Sequence, residues 1–168
     1  IMTTRLTAGI VAVIHDQSPE PLETLYQRGI PTVIINHPGY ALNIPSVKAE
    51  NVVGTYEAIR HLLRLGHRRI AFLHGPSHFL CSHERFEGYC KALREEGLEP
   101  DPTLIVSSEY TTDSGREAAT ILLGLEQKPD AIFAGNDAAA WGIIAIAEAY
   151  GIRIPEELAV VGFDDAPQ

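Results

Sequence analysis

A chain of 168 residues with 45% apolar and 21% charged residues is long enough for one globular core, or for one domain and part of another, and this composition excludes a disordered or low-complexity protein. A net charge of −9 excludes nucleic-acid binding by these residues alone, because phosphate contact needs clustered Lys and Arg, and the one basic cluster, Arg64, His67, Arg68 and Arg69, is short. Two cysteines, Cys81 and Cys90, are too few for a disulfide framework, and with no basic-then-apolar leader and no apolar run of membrane-spanning length they point to a cytoplasmic protein.

Short Val/Ile-rich runs alternate with amphipathic stretches along the chain, as parallel βαβ units do. GIVAVI (9–14) and PTVIIN (31–36) are the first two runs. The segment NHPGYALNIPS (36–46) then breaks the alternation with Pro, Gly and Asn, and predicts a loop or a crossing between two lobes. We place a boundary at 47–51, giving parts 1–48 and 49–168. A helix is expected over 51–65, where Val52, Tyr56, Ile59 and Leu63 make one apolar stripe and Gly66 supplies a left-handed C-cap.

The run IAFLHG (70–75) precedes a helix in HERFEGYCKALREEG, with Phe86, Tyr89, Cys90 and Leu93 on one face and Gly97 closing it. LIVS (104–107) precedes a helix over 112–125. AIFAG (131–135) precedes DAAAWGIIAIAEAY (137–150), which Gly151 closes, and AVVGF (159–163) is the last run. Continuous apolar runs of this kind are strands buried on both faces. The expected class is therefore α/β, parallel sheets flanked by helices. The helix 137–150 is apolar almost all round and needs burial on more than one side, which a partner subunit would provide.

No GxGxxG, GxxxxGK[ST] or GxSxG occurs, so neither a nucleotide cradle nor a nucleophile elbow has its signature. HFLCSH brings His78, Cys81 and His83 into one loop, but its spacing matches no common zinc pattern; the alternative is a polar loop near a pocket. Arg85 is expected in the first turn of its helix, where the macrodipole disfavours a cation, so something else must hold it there. Either it pairs with Glu84 or a distant carboxylate, or its planar fork faces ligand oxygens. Asn136 and Asp137 open a helix and suit an N-cap, yet strand C-termini in such sheets are also where ligands bind. Asp164 and Asp165 stand at the same edge, so the strand ends at Gly75, Asn136 and Asp164 share one rim.

In order and spacing, IRHLLRLGHRRIAFLHGP, ERFEGYCKALREEGL and AIFAGNDAAAWGIIAIAEAYGIRIPEELAVVGFDDAP resemble the effector-binding domain of LacI/GalR-family transcriptional repressors over most of the chain. The resemblance implies a periplasmic-binding-protein-like type I fold of two Rossmann-like lobes with a small effector between them. Residues 1–48 match the latter part of the N-terminal lobe, and 49–168 match most of the C-terminal lobe. It implies a homodimer that meets operator DNA through an N-terminal helix-turn-helix not present in this sequence. Since Ile1 stands before Met2 and the sequence stops at Gln168, the expectation is a piece of a longer chain.

The resemblance assigns effector contacts to Arg85, Asp164, Asn136 and Tyr110, the last as an aromatic that stacks on the ligand. It assigns Asn36 to a position often held by Asp, where an amide turns a charged contact into a neutral one, and it gives Asp165 to the turn. Phe79 and Cys81 match the variable pocket loop. Trp141 takes a dimer-interface position, with a core position as the alternative. A carboxylate and an arginine on one sugar- or nucleoside-like ligand make a clamp that needs no catalysis, cofactor or metal. Two other functions share parts of this pattern: a solute-binding protein of a sugar transport system, and a metal-dependent enzyme using HFLCSH with the aspartate pair.

Overall fold

The structure is a computed structural model and describes residues 8–13, 20–36 and 43–167. The chain divides into two compact units, one of Ile1–Glu50 with His78–Cys81, the other of Asn51–Ser77 with Ser82–Gln168.

In the first unit, strands β1 (Ile10–Val13), β2 (Thr32–Ile35) and β3 (Ser46–Val47) form a parallel sheet in that order, with Val11 beside Val33 and Ile35 beside Val47. Helix α1 (Glu20–Gln27) joins β1 to β2. The sequence reading has no helix there, because eight residues carry only Leu22, Leu25 and Tyr26 as an apolar stripe. Pro21 sits in the first turn, where its missing N–H costs nothing. The expected loop over 36–46 also needs correction at its end: Ser46 pairs with Ile34 as the start of β3, and residues 37–42 lie outside the described residues.

In the second unit, β4 (Ile70–His74), β5 (Ile105–Ser107), β6 (Ala131–Phe133) and β7 (Ala159–Val161) form a second parallel sheet in the order β5-β4-β6-β7. Alternation along β4 sends Ile70 and Phe72 to one face, where they pack with Ile59, Leu62 and Leu63 of α2 (Asn51–Arg64) and Tyr89 and Leu93 of α3 (Leu80–Glu95). Ala71 and Leu73 face Ala118, Ala119 and Leu122 of α4 (Thr112–Leu123) and Ile143 and Ala147 of α5 (Asp137–Ala149). Both faces are covered, which is why these runs read as uninterrupted apolar sequence. The left-handed glycines expected after the helices are present, with φ of 97° at Gly66, 73° at Gly97 and 71° at Gly151.

Two expectations change. Helix α3 begins at Leu80, inside the HFLCSH segment, so Arg85 lies in the second turn and the macrodipole argument for its position does not apply. Helix α5 buries Ala139, Ala140, Gly142, Ile143 and Ala147 on one side, while its Trp141 is 42% exposed, so Trp141 is no core residue.

Candidate functional site

Strand order in the second sheet reverses across β4, with β5 on one side and β6 on the other. At such a switch point the connections leave in opposite directions and open a crevice beyond the strand C-termini. The residues after β4, β5, β6 and β7 all reach that rim.

Arg85 is the centre of it. Only 7% of its surface is exposed, and a buried guanidinium must be hydrogen-bonded and paired to offset the loss of hydration. Its Nε donates to Asn51 Oδ1 at 3.0 Å, Nη1 donates to the Gly135 carbonyl, and Nη2 donates to Asp164 Oδ1 at 3.3 Å. The guanidinium carbon lies 3.9 Å from the centre of the Phe163 ring and 5.6 Å from that of Tyr110, two cation–π contacts. Glu84 is not its partner; Glu84 accepts from the amide of Asn51 at 2.8 Å, which turns the Asn51 oxygen toward Arg85. These bonds engage three of the five N–H groups of the fork.

Asp164 has a left-handed backbone (φ 109°), a strained conformation for a residue other than glycine. Its side chain is 46% exposed. Burial pushes its carboxyl above the usual range; Arg85 pulls the other way and the neighbouring Asp137 adds to the rise. Asp165 is also left-handed (φ 55°), but the carboxylate that closes this turn belongs to Asp137, whose Oδ2 accepts from the N–H of Ala166 at 2.7 Å. Asp137, Gly162, Phe163, Asp164 and Asp165 line an open recess of about 510 Å³.

Asn136 caps α5, its Oδ1 accepting from Ala139 N–H at 2.9 Å, and its Nδ2 donates to the Tyr110 carbonyl at 2.9 Å. The Tyr110 hydroxyl and Ser82 Oγ are 3.0 Å apart. The structure thus brings Arg85, Tyr110, Asn136 and Asp164 together on one rim. The sequence reading missed Asn51, Ser82 and Phe163. Asn51 bears the one signal available, an amide at a helix start; the other two sit in ordinary-looking contexts.

Asn36 belongs to the first unit, directly after β2, with φ 65° and its N–H donating to Val47 O at 2.9 Å. Phe79, also in that unit, meets the ring of His78 edge-on at 4.5 Å. Cys81 is half-buried in the first turn of α3. His83 donates from Nε2 to Ser77 O at 2.6 Å. Among the described residues no three His, Cys, Asp or Glu side chains are grouped to hold a metal ion. Burial pushes the Cys90 thiol up, which keeps it protonated and unreactive.

Residues 59–168 match the family model described as a periplasmic binding protein-like domain. The chain belongs to this family, in its LacI/GalR form. The periplasmic binding protein-like chain is 34% identical over 140 residues to the HTH-type transcriptional repressor CytR of Escherichia coli K12, covering 83% of itself and 41% of that protein. A regulatory protein of the LacI family from Chloroflexus aggregans superposes with a TM-score of 0.86 at 32% identity, covering 96% of this chain and 58% of that one. The transcriptional regulator CelR–cellobiose complex superposes at 0.82 with 34% identity, covering 97% and 50%. This chain therefore spans less than half the length of CytR. Among the described residues no helix is long and apolar enough to cross a membrane.

Proposed function

We propose that this chain is part of the effector-sensing domain of a cytoplasmic LacI-type transcriptional regulator, whose rim at the C-terminal edge of the second sheet takes a small sugar- or nucleoside-like ligand. The observation that carries the reading is the pairing of buried Arg85 with half-exposed Asp164. Arginine offers its remaining donors, and the carboxylate offers acceptors, to the hydroxyls of one ligand. Because the two charges balance each other, a neutral polyhydroxy compound fits better than an anion. The relatives are regulators, which supports sensing over transport, and no catalytic step is required of these residues. Residues 1–48 are read as part of the N-terminal lobe and 49–168 as most of the C-terminal one, with Asn36, Phe79 and Cys81 as further ligand contacts.

The test is calorimetric titration with a panel of mono- and disaccharides and nucleosides. Asp164→Ala should weaken the best binder by roughly 1.5–3 kcal/mol, on the order of ten- to a hundredfold, while circular dichroism stays that of the wild type. Unchanged affinity would sink the reading. Operator DNA is expected to be met through a helix-turn-helix in a longer chain, as a homodimer. Exposed Trp141 on α5 supports that association as an aromatic anchor. Trp141→Glu should lower the mass measured by light scattering from dimer to monomer; a mass unaffected by the substitution would remove Trp141 from the interface.

A further inference from the structure

Tyr110 is held at each of its polar atoms by a different part of the second unit. Its backbone is left-handed (φ 58°), a conformation an aromatic residue keeps only when its surroundings enforce it. Its N–H donates to Ser108 Oγ at 3.2 Å, its carbonyl accepts from Asn136 Nδ2 at 2.9 Å, and its hydroxyl shares a hydrogen bond with Ser82 Oγ at 3.0 Å. Ser108 is itself tied to Ser114 Oγ at 2.9 Å, inside the capping box that starts α4. Ser82 is fully buried and Ser108 nearly so. The ring lies across Gly75 and Gly135, where a Cβ on either glycine would run into it.

We infer that Ser82, Ser108 and Asn136 are positioning residues that fix Tyr110 beside the Arg85 guanidinium before any ligand arrives, and that this pre-formed wall sets the affinity of the rim. The inference rests on the ligand-binding reading above and departs from the role the resemblance gives Asn136. Both polar atoms of that side chain are engaged within the fold, one capping α5 and one holding Tyr110. Three anchors on one strained residue remove the ordering cost that a loose aromatic would impose on binding. Gly135 couples the two groups, since its carbonyl accepts from Arg85 and its Cα leaves room for the Tyr110 ring.

The positioning is read without ligand. In the 168-residue chain carrying ring-¹³C tyrosine, the signal lost in Tyr110→Phe identifies Tyr110. That signal should move in Ser82→Ala and in Asn136→Asp while the other tyrosine signals stay. Asn136→Asp keeps an N-cap oxygen of equal quality, so its melting temperature should hold while the donor to Tyr110 is lost. With cellobiose, the sugar in one structural relative, as the titrated probe, each variant should bind about tenfold more weakly. In a Tyr110→Phe background Ser82→Ala should add nothing, because both changes remove the same bond.

A Tyr110 signal that stays put in both variants overturns the inference, as does an additive loss in the double variant or a moved signal with unchanged affinity. Cellobiose binding that survives Asp164→Ala sinks the ligand reading instead, and the ring signal still decides the positioning.

Discussion

The two faces of the second sheet solve their packing differently. On the α2/α3 face the filling is aromatic: Phe72 meets Phe133, Phe86 and Tyr89 with ring centres 4.9–5.5 Å apart, and Tyr89 reaches out to donate its hydroxyl to Ile70 O. On the α4/α5 face the helices come close enough for backbones to touch, with Gly115 against Ala139 and Gly142 against Thr112 and Arg116. Large rings make a thick layer with room near its rim for a buried guanidinium, and Phe163 extends that layer under Arg85. Small residues make a thin layer and leave Trp141 standing out on α5. The difference separates the face that supports the Arg85 rim from the face that carries exposed Trp141.

Removing the aromatic filling should have the largest effect. Phe72 is fully buried among three rings, and Phe72→Ala should cost ~3–5 kcal/mol in urea unfolding. A loss under about 1 kcal/mol would mean the ring face collapses around the gap. On the other face the opposite change is the informative one. Helix propensity alone makes Gly142→Ala stabilising by about 1 kcal/mol. The new Cβ would lie 2.7 Å from Arg116 N and 2.9 Å from Gly115 C, both backbone atoms with no rotamer to yield. Steric separation of the helices should win, with a net loss of ~1–3 kcal/mol by the same measurement.

The smallest expected effect concerns the rim itself. Because burial raises the Asp164 carboxyl, the folded protein holds that proton at pH values where the unfolded chain has lost it. Stability from this group is therefore greatest at low pH and falls as pH rises through the folded value. Asp164→Asn should raise the melting temperature modestly at neutral pH, with the gain shrinking on acidification below the usual carboxylate range. A lower melting temperature at neutral pH would show that the Arg85 pair outweighs the burial.

Much of the second sheet was legible because strands covered on both faces print as apolar runs and glycine marks each helix end; IAFLH, AIF and AVV all lie where the pattern puts them. Helix α1 was not, since three apolar residues in eight give too little periodicity. The start of α3 was obscured by HFLCSH, whose polar residues read as loop, and this misplaced Arg85 by one turn. The network around Arg85 could not be read from spacing at all, because Asn51 and Asp164 are 34 and 79 residues away. Asn136 was legible as a cap, whereas its second bond to Tyr110 depends on a left-handed residue that carries no glycine to announce it.

None of the rim side chains belongs to a strand. Arg85 rides on α3, Tyr110 on the β5–α4 connection, Asn136 on the turn before α5, and Asp164 on the segment after β7. Exchanging the β5–α4 connection, the turn before α5 or the segment after β7 leaves the inward-facing residues of the sheet in place, whereas α3 itself supplies Tyr89 and Leu93 to the interior. The polar side chains of the rim carried by those three connections can thus diverge while the hydrophobic interior, which sets the melting temperature, is inherited unchanged.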